Sequence, residues 1–292
     1  MATPLTADQF AGALRAEGVD VVETDGWREH NRNHKGAWGP VHGVIIHHTV
    51  TSGTASSVEL CYDGYEELPG PLCHGVIDKS GTVHLVGYGR ANHAGTGDGA
   101  VLAAVVDETP LPGPTADDTD GNARFYGFEC INLGDGEDPW PAEQLAAIER
   151  VAAALCRAHG WGAGSVIGHK EWTNTKVDPV GFEMADLRDR VAARLGASPA
   201  DRNRVHRDTA CEPFPGEAFF HGAPDSPVVT AMGRRLVEEG CSAYSQGPGD
   251  RWTDADRQSY ARWQRKLGFA GADADGWPGR VSWDALKVPR VS

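Results

Sequence analysis

The chain contains no run of about 18 apolar residues, which leaves no candidate for a membrane-spanning helix. Its first ten residues lack both a basic start and an apolar stretch, so no export signal is expected. Cys-x-x-Cys pairs are absent, and the six cysteines (Cys61, Cys73, Cys130, Cys156, Cys211 and Cys241) lie far apart in 292 residues. That spread fits neither a disulfide-dense mini-protein nor a paired-cysteine zinc knuckle, and reduced thiols are expected. Cations are also scarce, with 27 Lys and Arg against 41 Asp and Glu for a net charge of -14. Residues 201–292 balance at 13 against 13, so residues 1–200 carry the whole excess, 14 against 28. Clustered phosphate contacts need clustered cations, which argues against duplex nucleic acid as the main partner. Solubility is the bland reading of the charge, and a monomer without membrane insertion is expected.

What is present is enough for two domains: 292 residues with 40% hydrophobic content. Residues 41–47 are apolar and β-branched and read as a buried strand that ends at His47. Residues 56–67 look helical, and 73–78 with 82–86 read as a hairpin around Lys79-Ser80-Gly81. Residues 95–120, rich in Gly, Pro, Asp and Thr, read as a long surface loop with a short apolar run at 101–106. A strand follows at 124–133. Pro141 opens a helix with Leu145, Ile148, Ala152 and Leu155 at helical spacing, closed by His159-Gly160. A short strand, 165–167, leads into His169, and 185–195 reads as another helix. Strands alternate with helices, so the class is α/β with a mixed central β-sheet flanked by helices. Beyond residue 225 the pattern changes to short helices, one starting at Ser226-Pro227, one at a Thr253–Asp256 capping box and one capped by Ser282. This second region reads as a small all-α domain.

Three side chains stand out. His47 ends its strand, His169 follows another, and Asp178 sits in Lys176-Val177-Asp178-Pro179, where the proline favours a fixed extended backbone. Two histidines and a carboxylate leave a fourth tetrahedral position for water, the donor set of a catalytic Zn2+ site. Satisfied core histidines and a surface aspartate are the plain alternatives. Glu129, among Phe128, Cys130 and Ile131, is a charge in an apolar strand and needs a reason. A general base supplies one, and a salt-bridged strand glutamate is the other possibility. His48, adjacent to His47, should face the opposite side of its strand.

Several separated motifs together resemble the zinc-dependent N-acetylmuramoyl-L-alanine amidases, a family that includes peptidoglycan recognition proteins. They are Ile46-His47-His48-Thr49, Leu72-Cys73-His74, Gly89-Arg90-Ala91-Asn92-His93-Ala94-Gly95, Gly127-Phe128-Glu129, and Gly168-His169 with Lys176 and Asp178. The resemblance covers roughly residues 35–195. It implies His47, His169 and Asp178 as zinc ligands, Glu129 as the base that activates water, and Lys176 as the stabiliser of the oxyanion, against a solvated loop lysine. It also places His93, Asn92 and Asn132 as substrate contacts. One branch of the family has a tyrosine where this chain has Cys73, and a thiol is no substitute for a phenol, which leaves Glu129 as the principal base. A Cys73 nucleophile beside His74 is the minor alternative, disfavoured because neighbouring strand residues face opposite ways.

The last region resembles a peptidoglycan-binding module through Met232-Gly233-Arg234-Arg235-Leu236, Tyr260 to Gly268 and Asp275-Gly276-Trp277-Pro278-Gly279. Trp277 and Trp283 could stack on sugars, but in so small a domain core packing is the expected role. The pairing implies a phage endolysin acting on bacterial peptidoglycan, made in the host cytoplasm and reaching the wall after release. The expected boundaries are an N-terminal extension at 1–34, the zinc amidase domain at 35–196, a linker at 197–225 and the wall-binding domain at 226–290. A peptidoglycan-recognition protein that binds without hydrolysing, and a glycoside hydrolase using paired carboxylates, are the competing readings.

Overall fold

The computed structural model describes residues 2–197 and 211–291. The chain divides into two units, Met1–Arg202 and Asn203–Ser292. In the first, the described elements run α1 (Ala7–Ala16), β1 (Val21–Glu23), β2 (Gly43–His48), α2 (Thr54–Asp63), β3 (Gly64–Tyr65), β4 (Leu68–Pro69), β5 (Gly75–Ile77), β6 (Val83–Leu85), β7 (Thr96–Gly97), α3 (Gly99–Asp107), β8 (Thr119–Asp120), β9 (Phe125–Cys130), α4 (Ala142–His159), β10 (Val166–Gly168), α5 (His169–Trp172) and α6 (Met184–Gly196). Six strands form one mixed sheet in the order β1-β6-β5-β9-β2-β10, while β3 with β4 and β7 with β8 form short ribbons. The only antiparallel pairing in the large sheet is β5 with β6. The expected class is observed: α/β, with a mixed sheet flanked by helices.

Alternation along the strands sorts side chains between two faces. Val44, Ile46, Tyr126, Phe128, Cys130 and Val166 pack with Phe10, Leu14, Ile148, Val151, Leu155, Leu187 and Val191 from α1, α4 and α6. Ile45, Phe125 and Ile167 point the other way and pack with Val101, Val105 and Trp172. His47 shares the parity of Ile45, and Glu129 that of Phe125, so both face the thinner layer. Parallel pairing in register sets His47 beside Glu129. Since β9, β2 and β10 run in parallel, His47, Glu129 and His169 all come at carboxyl ends of neighbouring strands, where α/β sheets hold their ligands.

Two boundaries differ from the expected ones. Residues 1–34 are not an appendage: Phe10 and Trp27 are buried in the main core, and β1 pairs with β6 at the sheet edge. Phe10 lies between Tyr126 and Phe128, with ring centroids 5.5 and 6.0 Å away. The expected linker, 197–225, lies partly outside the described residues. Its described end belongs to the second unit, because Phe220 is buried in that unit's core and Cys211 bridges to Pro289. The surface loop expected at 95–120 contains α3, capped by Asp98, whose carboxylate also accepts from Thr115 and Ala116.

The second unit holds α7 (Glu217–His221), α8 (Pro227–Glu238), α9 (Asp254–Lys266) and α10 (Arg280–Leu286). Its core gathers Phe220, Val229, Met232, Leu236, Trp252, Tyr260, Trp263, Trp283 and Leu286. Ser226 caps α8 and Thr253 with Asp256 forms the capping box of α9, as the sequence predicts. Val237 and Leu267 lie outside this core and are exposed. Ser282 lies inside α10 with Gly279 at its cap, and its hydroxyl contacts Gly279 and Tyr260. Cys61, Cys73, Cys130, Cys156 and Cys241 are free thiols. Among the described residues no helix is long and apolar enough to cross a membrane.

Candidate metal centre

The three expected ligands, separated by up to 131 positions, meet at one point. His47 Nδ1 lies 3.0 Å from His169 Nδ1 and 3.0 Å from Asp178 Oδ2, and His169 Nδ1 is 3.2 Å from the same oxygen. All three residues are buried. Zinc bonds of about 2.0–2.2 Å in tetrahedral array set ligand atoms roughly 3.3 Å apart, so the spacing and the N, N, O donor set both fit such an ion. Among the described residues this is the one group of His, Cys, Asp or Glu with that convergence.

Local structure explains how the ligands are held. His169 begins α5, whose position is fixed by the paired hydrogen bonds of Arg188 to Glu171, at 2.8 and 2.9 Å, and by Glu171 accepting from Gly168 N–H. Lys170 N–H donates to the Asp178 carbonyl at 2.7 Å, which ties the ligand loop back to α5. Burial and the neighbouring His169 push His47 down to about 4, so it is a neutral donor at physiological pH. A neutral imidazole is the form in which a histidine binds a divalent ion.

Glu129 stands on the neighbouring strand with Oε2 buried and without a hydrogen-bond partner. Burial, reinforced by the charge of Asp178 and opposed by Lys176, raises its carboxyl to about 8. An unpaired buried carboxyl is costly, and functional sites are where such costs concentrate. Lys176 is exposed on the ligand loop, close enough to lower both Glu129 and His47 electrostatically. His48 faces away as expected, and its Nδ1 accepts from Val180 N–H at 3.3 Å. Cys73 is buried among apolar side chains beside Cys61, and burial raises its thiol far up, which removes the nucleophile alternative.

Of the three residues expected to touch substrate, His93 and Asn132 are buried and Asn92 is half-buried. His93 is 7% exposed and lies behind His47, with Nδ1 3.2 Å from His47 Nε2 and its own Nε2 3.1 Å from the Phe125 carbonyl. Burial and the His47 and His74 rings hold it neutral, well below the usual histidine range. The Asn92 side chain donates to the Pro69 carbonyl at 2.7 Å. Asn132 is 1% exposed, donates to the Asp138 carbonyl and accepts from Gly134 N–H, closing the turn after β9. Two further residues escaped the sequence reading. Asn122 Oδ1 accepts from the N–H groups of His93, Ala94 and Gly95 and fixes that segment. Gly127 lies beneath His93, and a glycine inside a strand was the available signal of such a close approach.

Residues 37–181 match the family model described as N-acetylmuramoyl-L-alanine amidase. No curated protein matches the chain. Among solved structures, the N-acetylmuramoyl-L-alanine amidase LysC from Clostridium intestinale URNW is 15% identical, covering 59% of this chain and 97% of its own, with a TM-score of 0.39. A mutant endolysin from Bacillus subtilis is 19% identical over 61% of this chain and 99% of its own, at a TM-score of 0.40. The amidase AmiD from E. coli, in complex with anhydro-N-acetylmuramic acid-L-Ala-D-gamma-Glu-L-Lys, is 15% identical over 92% and 96%, at 0.39.

Proposed function

We propose that the chain is a zinc-dependent hydrolase that cleaves the amide between N-acetylmuramic acid and L-alanine in bacterial peptidoglycan, and that it serves as a phage endolysin. The observation that carries this reading is the 3.0–3.2 Å convergence of His47, His169 and Asp178 beside the unpaired carboxyl of Glu129. It lies inside the segment matched by the amidase family model.

His47, His169 and Asp178 would hold a zinc ion, which when bound would supply the Lewis acidity that acidifies a water and polarises a carbonyl. Glu129 serves as the base that takes the proton from the attacking water and returns it to the departing alanine nitrogen. A cation bound beside Glu129 would favour the ionised form that the first half of that exchange needs. Lys176 brings a positive charge to the carbonyl oxygen as negative charge develops there. Asp178, His47 and His169 stay in place as the ligand set. The second unit, with its own core and the motifs of a wall-binding module, would keep the enzyme on an insoluble polymer and raise its local concentration there.

Digestion of purified peptidoglycan, with and without a chelator, tests this. Release of stem peptides bearing a free alanine amine, stopped by chelator and restored by zinc, is the expected outcome. Binding without release would turn the reading into that of a recognition protein, and new reducing ends would indicate glycoside hydrolysis instead.

A further inference from the structure

We infer that His93 is a positioning residue that fixes the tautomer of His47 and thereby readies its Nδ1 for a metal. The inference rests on the reading of His47 as a ligand and adds a role to a residue outside the ligand set.

With His93 neutral, the hydrogen bonds leave one consistent assignment. The Phe125 carbonyl only accepts, so the 3.1 Å contact requires the His93 proton on Nε2. Neutral His93 then carries a lone pair on Nδ1, which accepts from His47 Nε2–H across 3.2 Å. With its proton on Nε2, His47 presents a lone pair at Nδ1, toward Asp178 Oδ2 at 3.0 Å. A carboxylate oxygen also only accepts. Two acceptors that close repel one another unless a cation lies between them, so His93 orders an arrangement that favours metal entry.

His93 is itself firmly seated. Asn122 Oδ1 accepts from three consecutive N–H groups, those of His93, Ala94 and Gly95, at 2.8–3.1 Å. The ring lies over Gly127 so closely that a Cβ there would fall 2.3 Å from His93 Nδ1. Gly127 is held in turn by His74, whose backbone N–H donates to its carbonyl and whose Nδ1 accepts its N–H, both at 2.9 Å. A neutral imidazole here replaces the carboxylate or carbonyl that more often orients a metal-binding histidine.

The test measures zinc affinity by chelator competition, and the His47 ring tautomer by 15N shifts in the metal-free full chain. His93→Leu fills similar space but removes both hydrogen bonds, whereas His93→Gln keeps an acceptor and a donor. Zinc affinity should fall about 10–100-fold in His93→Leu and in Gly127→Ala, and His93→Gln should recover most of it. The wild-type ring of His47 should carry its proton on Nε2, a readout that needs no variant. A proton on Nδ1, or wild-type zinc affinity in His93→Leu, overturns the inference. Failure of the wild-type chain to take up zinc at all overturns instead the metal reading beneath it.

Discussion

At the scale of the residue, burial governs the behaviour of Glu129. Its carboxyl, raised from 4.5 to about 8, contributes to stability of the metal-free protein while it is protonated, below about pH 4.5. That contribution is lost as pH rises through 8, when the native state must hold a charge that the unfolded chain holds more easily. Glu129→Gln removes the titration. The chelated variant should therefore gain stability over wild type between pH 4.5 and 8, by an amount on the order of a few kcal/mol at the upper end. Denaturant titrations at several pH values read this directly, and parallel curves would contradict it. The same substitution should lower amide hydrolysis by about 10²–10⁴-fold with zinc still bound. Lys176→Met should cost less in zinc affinity than in kcat, because its charge is required as the oxyanion forms.

At the scale of the element, the part of the chain that sequence patterning undervalued is structural. Phe10 is fully buried between aromatic rings of β9, so Phe10→Ala should cost about 3–5 kcal/mol by chemical denaturation. Deleting residues 2–34 should leave insoluble protein, since it removes both α1 and an edge strand; a soluble, active product would contradict their role in the core. Short periodic segments such as 7–16 carry the same apolar spacing as any surface helix, and only the packed sheet reveals which ones close a core. The ligand strands were legible because His47 and His169 each end an apolar run. Their convergence with Asp178 was legible only through the resemblance. His93 and Asn132 were read as substrate contacts because polar residues in a turn look alike in sequence, whether they face solvent or staple the backbone. Asn132 closes its own loop and His93 backs His47, and these roles depend on neighbours 46 or more positions away or on the turn's own geometry. The alternation of His47 with His48 and of Glu129 with Cys130 did follow from strand geometry alone.

At the scale of the whole molecule, two cores imply two jobs. A chain ending at residue 197 should retain its activity on a soluble muropeptide and lose it by about 100-fold or more on intact sacculi at low enzyme concentration, where tethering matters. Equal loss on both substrates would show instead that the second unit supports the fold of the first. The acidic excess of residues 1–200 offers no electrostatic attraction to an anionic surface. Everything at the larger scale depends on the centre, and zinc stoichiometry tests that centre most directly. After exhaustive chelation and reloading, the account predicts one tightly held zinc per chain, lost in His169→Ala and in Asp178→Ala while both variants keep the wild-type circular dichroism. Folded wild-type protein that holds no zinc, or variants that hold it as tightly as wild type, would contradict the account.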